Sequence, residues 1–74
     1  MIERRAHAVL RVHDRSTDTF DTRTAMKYMD ASEVDRLRQQ LERGADQTER
    51  TDGFTYYYTR TRGTIMETVT LAVT

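Results

Sequence analysis

The sequence predicts an α+β fold of ββαββ order, and three observations predict it. A helix is signposted at both ends, from Ala31 to Arg43. Two stretches of alternating polar and apolar residues precede it, and two more follow. Polar residues and glycines fill the gaps between them. Four strands and one helix in 74 residues imply a single small domain, residues 1–74, with the helix packed across one face of a four-stranded sheet. Such a body has room for a binding surface but hardly for a buried reaction chamber.

The helix carries the clearest punctuation. Asp30 suits the N-cap, and Glu33 three residues later completes a capping box. Val34, Leu37 and Leu41 fall on one stripe, with charged and amide residues around the rest of the cylinder. Arg43 suits the C-terminal dipole, and Gly44 is placed for a left-handed C′ residue.

In the last two runs, Phe54, Tyr56 and Tyr58 alternate with polar residues, as do Val69, Leu71 and Val73. A two-residue turn at Arg62-Gly63 sets Phe54 opposite Leu71, Tyr56 opposite Val69, Tyr58 opposite Glu67 and Arg60 opposite Ile65. Glu67 then takes Arg60 as its diagonal partner. In the first two runs, Ala6, Ala8, Leu10 and Val12 form one face, matched by Phe20, Thr22, Thr24, Met26 and Tyr28. Small Ala6 or Ala8 would lie opposite Met26. The connection from His13 to Thr19 is polar and turn-forming. The stretch from Gly44 to Gly53 reads as a charged loop.

A long link through the helix lets the first and last strands pair in parallel, which gives the order 2-1-4-3. This β-grasp-like layout resembles ubiquitin-like folds and the small immunoglobulin-binding domains of bacterial surface proteins. The resemblance covers element order alone, without a shared motif, and implies no activity. An all-antiparallel ββαββ sheet is the alternative.

Composition excludes several chemistries. The chain has no Cys, so no disulfide, thiolate nucleophile or cysteine metal site is available. Lys plus Arg equals Asp plus Glu, twelve each, so no polyanion-binding tail stands out. Every basic residue except Lys27 is Arg, the better side chain for bidentate recognition, although a GC-rich coding sequence yields the same bias. Apolar residues make up 36 % of the chain and Trp is missing, so the core is thin and self-association follows as one expectation. The start, Met1-Ile2-Glu3-Arg4-Arg5, leads into no apolar run of signal or membrane length. A cytoplasmic protein without a membrane partner is expected.

Catalytic and metal constellations are lacking. His7 and His13 share a side of the first strand, but six residues of strand separate them by about 20 Å. Asp14, Ser16, Asp18 and Asp21 echo a calcium loop without its glycine or terminal glutamate. Ser16 and Ser32 have no base nearby. Gly44, Gly53 and Gly63 sit at element boundaries, as turn residues rather than a phosphate loop. In the Tyr56-Tyr57-Tyr58 run, alternation sends two side chains to the core and leaves Tyr57 outside. The expectation is no enzyme, no cofactor and no metal.

The face opposite the helix then carries the functional reading. By alternation it holds Arg5, Arg11, Arg23, Lys27 and Tyr57, with Asp21 as the lone carboxylate, a local charge of +3. Arg and Thr on an exposed strand also serve solubility alone. As a site, these residues suit an acidic protein surface, as in a small accessory or virus-encoded inhibitor or adaptor. Nucleic acid is the alternative partner for the same cations, and a structural homodimer is the third. The edge of the second strand, with Thr22 and Thr24, offers strand addition.

Overall fold

The computed structural model describes residues 3–74, so Met1 and Ile2 lie outside it. Element order is β1 (Arg4–Asp14), β2 (Thr19–Met29), α1 (Ala31–Gly44), β3 (Gln47–Thr51), β4 (Thr55–Arg62) and β5 (Ile65–Val73). The fold is α+β, with one helix on a five-stranded sheet of order β2-β1-β5-β4-β3. Every neighbouring pair is antiparallel, including β1 with β5. The parallel pairing of a β-grasp order is thereby overturned, and the all-antiparallel alternative holds with one strand added. That strand is β3, where a loop was expected.

The β3–β4 connection explains the extra strand. Asp52 (φ 50°) and Gly53 (φ 82°) are both left-handed, and Phe54 N–H donates to the Asp52 carboxylate at 3.1 Å. An Asp-Gly pair that closes a tight reversal is a strong local hairpin signal. The short Gln47–Thr51 run pairs along β4 as a result.

Helix α1 begins as its sequence dictates. Asp30 accepts from the Glu33 backbone at 2.9 Å, and Glu33 reaches back to the Asp30 N–H at 3.5 Å. Its other end differs from expectation. Gly44 is the last helical residue, Ala45 caps in extended geometry, and no left-handed glycine is used there. The stripe Val34, Leu37 and Leu41 meets Ala6, Tyr56, Tyr58, Leu71 and Val73 of the sheet. Leu71, at 0 % exposure, is the one side chain of the described residues removed completely from water.

The β4–β5 register lies two residues from the expected one. Gly63 (φ 58°) occupies the first turn position, with Thr64 second, as a type II′ reversal prefers. Tyr56 therefore faces Leu71, Tyr58 faces Val69, and Arg60 faces Glu67 directly. A shift of two preserves parity, so Tyr56, Tyr58, Val69, Leu71 and Val73 keep the helix side. Phe54, expected opposite Leu71, instead falls in the turn before β4 and is 60 % exposed. The Arg60–Glu67 pair closes at 2.7 Å and is half-buried at the rim of the core.

The β1–β2 hairpin corrects the sequence reading more deeply. Asp14 pairs with Thr19, so the loop is Arg15–Asp18 and even residues of β1 face odd residues of β2. Ala8 stands opposite Ala25, Ala6 opposite Lys27, and Met26 opposite His7. On β2 the helix side thus carries Asp21, Arg23, Ala25, Lys27 and Met29, while Phe20, Thr22, Thr24, Met26 and Tyr28 occupy the other face. Local chemistry fixes this loop. Asp14 accepts from the Ser16 N–H and hydroxyl at 3.0 and 2.7 Å, and Asp18 adopts φ 51°. Only Met29 of β2 packs against the core, so the rest of that strand had no need of an apolar helix side.

Two consequences concern stability. Leu71→Ala should cost about 2–5 kcal/mol, most of what so small a core supplies, and urea denaturation should show a chain mostly unfolded in buffer. The Asp14 carboxyl is held below its ordinary value by the Ser16 side chain and backbone, and Asp30 by the Glu33 and Ser32 bonds. Lowered folded-state values mean that their stabilisation is full above the ordinary aspartate range. It fades as pH falls through that range and below it. The Asp14→Asn/Asp30→Asn variant should lose less melting temperature than the wild type on acidification to pH about 3.

Candidate docking surface

The helix covers one side of the sheet and leaves the other bare. Strand parity assigns that open face to Arg5, His7, Val9, Arg11 and His13 of β1 and to the even residues of β2. Met66, Thr68, Thr70 and Ala72 of β5 continue it. Tyr57 and its threonine neighbours on β4 and Glu49 on β3 complete it. Arg5, Arg11 and Tyr57 lie where the sequence placed them. Arg23 and Lys27 do not, because the hairpin register turns them to the helix side. There Arg23 Nε lies 3.5 Å from the Asp21 carboxylate.

Charge on the open face is correspondingly weaker. Arg5 and Arg11 oppose Glu49, a balance of +1 instead of +3. The expected basic surface is an apolar and aromatic one with two arginines in it. Phe20 is 64 % exposed, and Met26 and Tyr28 are 57 % each. Met66, across β1 from them, is also exposed. Met66 lies on the face that alternation predicts, whereas Phe20, Met26 and Tyr28, expected on the core face, are brought out by the β2 register. Their signal in the sequence was the odd-numbered set Asp21, Arg23 and Lys27, too polar for a strand with either face free to choose.

Cross-strand contacts organise the patch. His13 and Phe20 are directly opposed and stack with ring centroids 4.1 Å apart at 1°. His13 Nε2 lies 3.1 Å from Asp18 Oδ1, which anchors the ring in the hairpin loop. Beside this stack lies a shallow hollow of about 360 Å³, lined by Arg11, His13, Phe20, Tyr57 and Met66. Arg5 faces Tyr28 at the other end of the same strand pair.

On the helix side the polar groups are structural. The Arg38 guanidinium lies 4.0 Å above the Tyr56 ring and near Asp35 and Glu42, an arrangement that desolvates a cation against an aromatic face. Burial pushes the Tyr58 hydroxyl up from the usual tyrosine value. Its oxygen and Arg38 Nε are both buried without a hydrogen bond of good geometry.

The chain matches no protein-family model, no curated protein and no solved structure. Among the described residues, no group of three His, Asp or Glu side chains could hold a metal ion, and no helix is long and apolar enough to cross a membrane. The site is therefore read from its own geometry.

The inverted β2 parity has a direct check. Met26→Ser removes an exposed thioether and should change unfolding free energy by no more than about 0.5 kcal/mol. Ala8→Asp, on the helix side of the neighbouring strand, should destabilise by well over about 1 kcal/mol. Chemical denaturation of the two variants separates the parities, since a core-facing Met26 would make Met26→Ser destabilising by more than about 1 kcal/mol as well.

Proposed function

We propose that this chain is a non-enzymatic protein-binding module that docks through its open sheet face. The observation that carries the reading is the run of exposed Phe20, Met26, Tyr28 and Met66 on one face of a chain with so small a core. Large apolar side chains left in water cost solubility, and contiguous patches of them mark interaction surfaces. Arg11 and Arg5, with Tyr57, supply the charge-assisted and aromatic contacts that anchor such interfaces. The partner would present an apolar centre with carboxylates placed for the two arginines. Acting by occupation of that partner surface, the module would serve as an inhibitor or an adaptor.

One observation favours a second reading. Phe20, Tyr28 and Tyr57 are three aromatic rings on a sheet face with arginines between them, a pattern that also stacks single-stranded bases. Two cations make few phosphate contacts, so binding of this kind would be weak with a shallow salt dependence.

A photo-cross-linking residue at position 57 should capture a protein in cells of the native source, and one at Arg36 on the outer helix surface should not. Arg11→Glu with Phe20→Ser should abolish the capture. Equal adducts from both probe positions, or capture that survives the double variant, would remove the open face as the docking site. A gel shift of single-stranded DNA or RNA at about 50 mM salt would transfer the face to the second reading.

A further inference from the structure

The long edge of the sheet carries an inference of its own, independent of the open-face reading. Arg5 and Thr74 exchange both backbone bonds at 3.0 Å, so odd residues of β1 aim their N–H and C=O at β5. Even residues of β1 aim at β2 and bond its odd residues. On β2, therefore, Phe20, Thr22, Thr24, Met26 and Tyr28 direct their backbone groups outward from the sheet. Bulges, prolines and covering loops protect many such edges, and β2 has none of them along its 11 residues. Its guards are the charges of Asp21, Arg23 and Lys27, which a two-fold partner can pair. Its free groups are a template for one more strand.

We propose that this strand is β2 of a second copy, paired antiparallel about a two-fold axis at Thr24. Backbone geometry allows only registers that match even residues with even residues, and the side chains choose among them. With Thr24 opposite itself, Thr22 meets Met26, Phe20 meets Tyr28, and Asp21 meets Lys27, each contact occurring twice. Thr24 is also the midpoint of Thr19–Met29, so this register pairs the whole strand. A step toward the N-terminus sets Arg23 against Arg23. A step the other way sets Arg23 against Lys27 twice. Like charges directly opposed are destabilising, and opposite charges or aromatic pairs stabilise. A register centred on Thr22 also forms two ion pairs, Asp21 with Arg23, but it pairs only residues 19–25. The Thr24 register combines two ion pairs, no clash and the full length of the strand.

Both copies then place their helices on the same side, and the two open faces join into one ten-stranded surface. The five outward-facing residues of each strand form five pairs that exchange two backbone bonds each. Asp21, already 3.5 Å from Arg23 of its own chain, gains a second cation across the seam.

The register predicts which single cysteine will cross-link a chain that has none. At the two-fold axis a hydrogen-bonded pair has its Cα atoms about 5.5 Å apart, inside the range a disulfide spans. Thr24→Cys should oxidise to a covalent dimer. Thr22→Cys, whose copies lie about 14 Å apart along the strands, should not. Sedimentation velocity should find a reversible dimer for the wild type. Lys27→Asp should weaken it by about tenfold through two like-charge contacts, and Asp21→Lys/Lys27→Asp should restore it. A wild-type chain that sediments as a monomer at about 1 mM would overturn the proposal. So would equal cross-linking of the two cysteine variants, or a Lys27→Asp dimer as tight as the wild type. Capture through position 57 is read separately, so either idea can fail alone.

Discussion

A helix of 14 residues reaches about 21 Å, whereas the paired strands β1 and β2, 11 residues each, extend about 37 Å. This mismatch in length governs the molecule. One helix cannot cover such a sheet, so its apolar stripe is spent where β1, β4 and β5 converge, around Ala6, Tyr56, Tyr58, Leu71 and Val73. The rest of the β1–β2 ribbon projects past it, and the molecule is drawn out to 46 × 20 × 20 Å. Side chains on that projection obey pairing chemistry instead of burial. Polar residues can therefore face the helix side of β2 while Phe20, Met26 and Tyr28 face water.

Strand β1 is the element that makes the arrangement rigid. It is bonded on both sides, to β2 over its full length and to β5 from Ala6 to Asp14. Its alternation is consistent throughout: Ala6, Ala8, Leu10 and Val12 look toward the helix layer, and Arg5, His7, Val9, Arg11 and His13 look away. A slip of one residue against β5 would carry Ala6 and Ala8 out of the core. The open face thus inherits its geometry from the best-determined strand in the sheet. A docking surface on such a strand is held in place before any partner arrives, which reduces the ordering cost of association.

Much of this was legible in the residues, in proportion to how local each signal was. The helix start at Asp30 and Glu33, the parity of β4 and β5, and the attraction between Arg60 and Glu67 all follow from spacing over a few positions. The Asp52-Gly53 pair that builds β3 was equally local, but it stood inside a polar stretch whose strand has no buried face to give it a pattern. The β2 parity was not local. It depends on a loop of four residues, set by Asp14 and Asp18, and on how far a helix distant in sequence reaches across the sheet. Alternation puts Met26 and Tyr28 on one face of β2 but does not say which face meets the helix, and that choice follows from the loop. Arg5, Arg11 and Tyr57 kept their face because β1 and β4 run through the core, whereas Arg23 and Lys27 changed face with their strand. The end of the helix and the turn at Gly63 show the same limit, since a glycine marks a boundary without saying which position of it.

Far from the core, the two hairpin loops at the narrow end are fastened to one another. Arg15 donates from its backbone to Thr64 and from its side chain to Gly63, and Thr64 donates to Asp14. These bonds take the place of a second cluster of greasy contacts. Because they are exposed to water, each adds only modestly to stability, while together they fix the position of the two loops. The tip accordingly behaves as a clasp. Extra residues spliced into either loop would spring it and let the two ribbons splay, whereas the reversal at Asp52-Gly53, tied only to its own neighbours, is the natural place to graft a tag or a guest peptide.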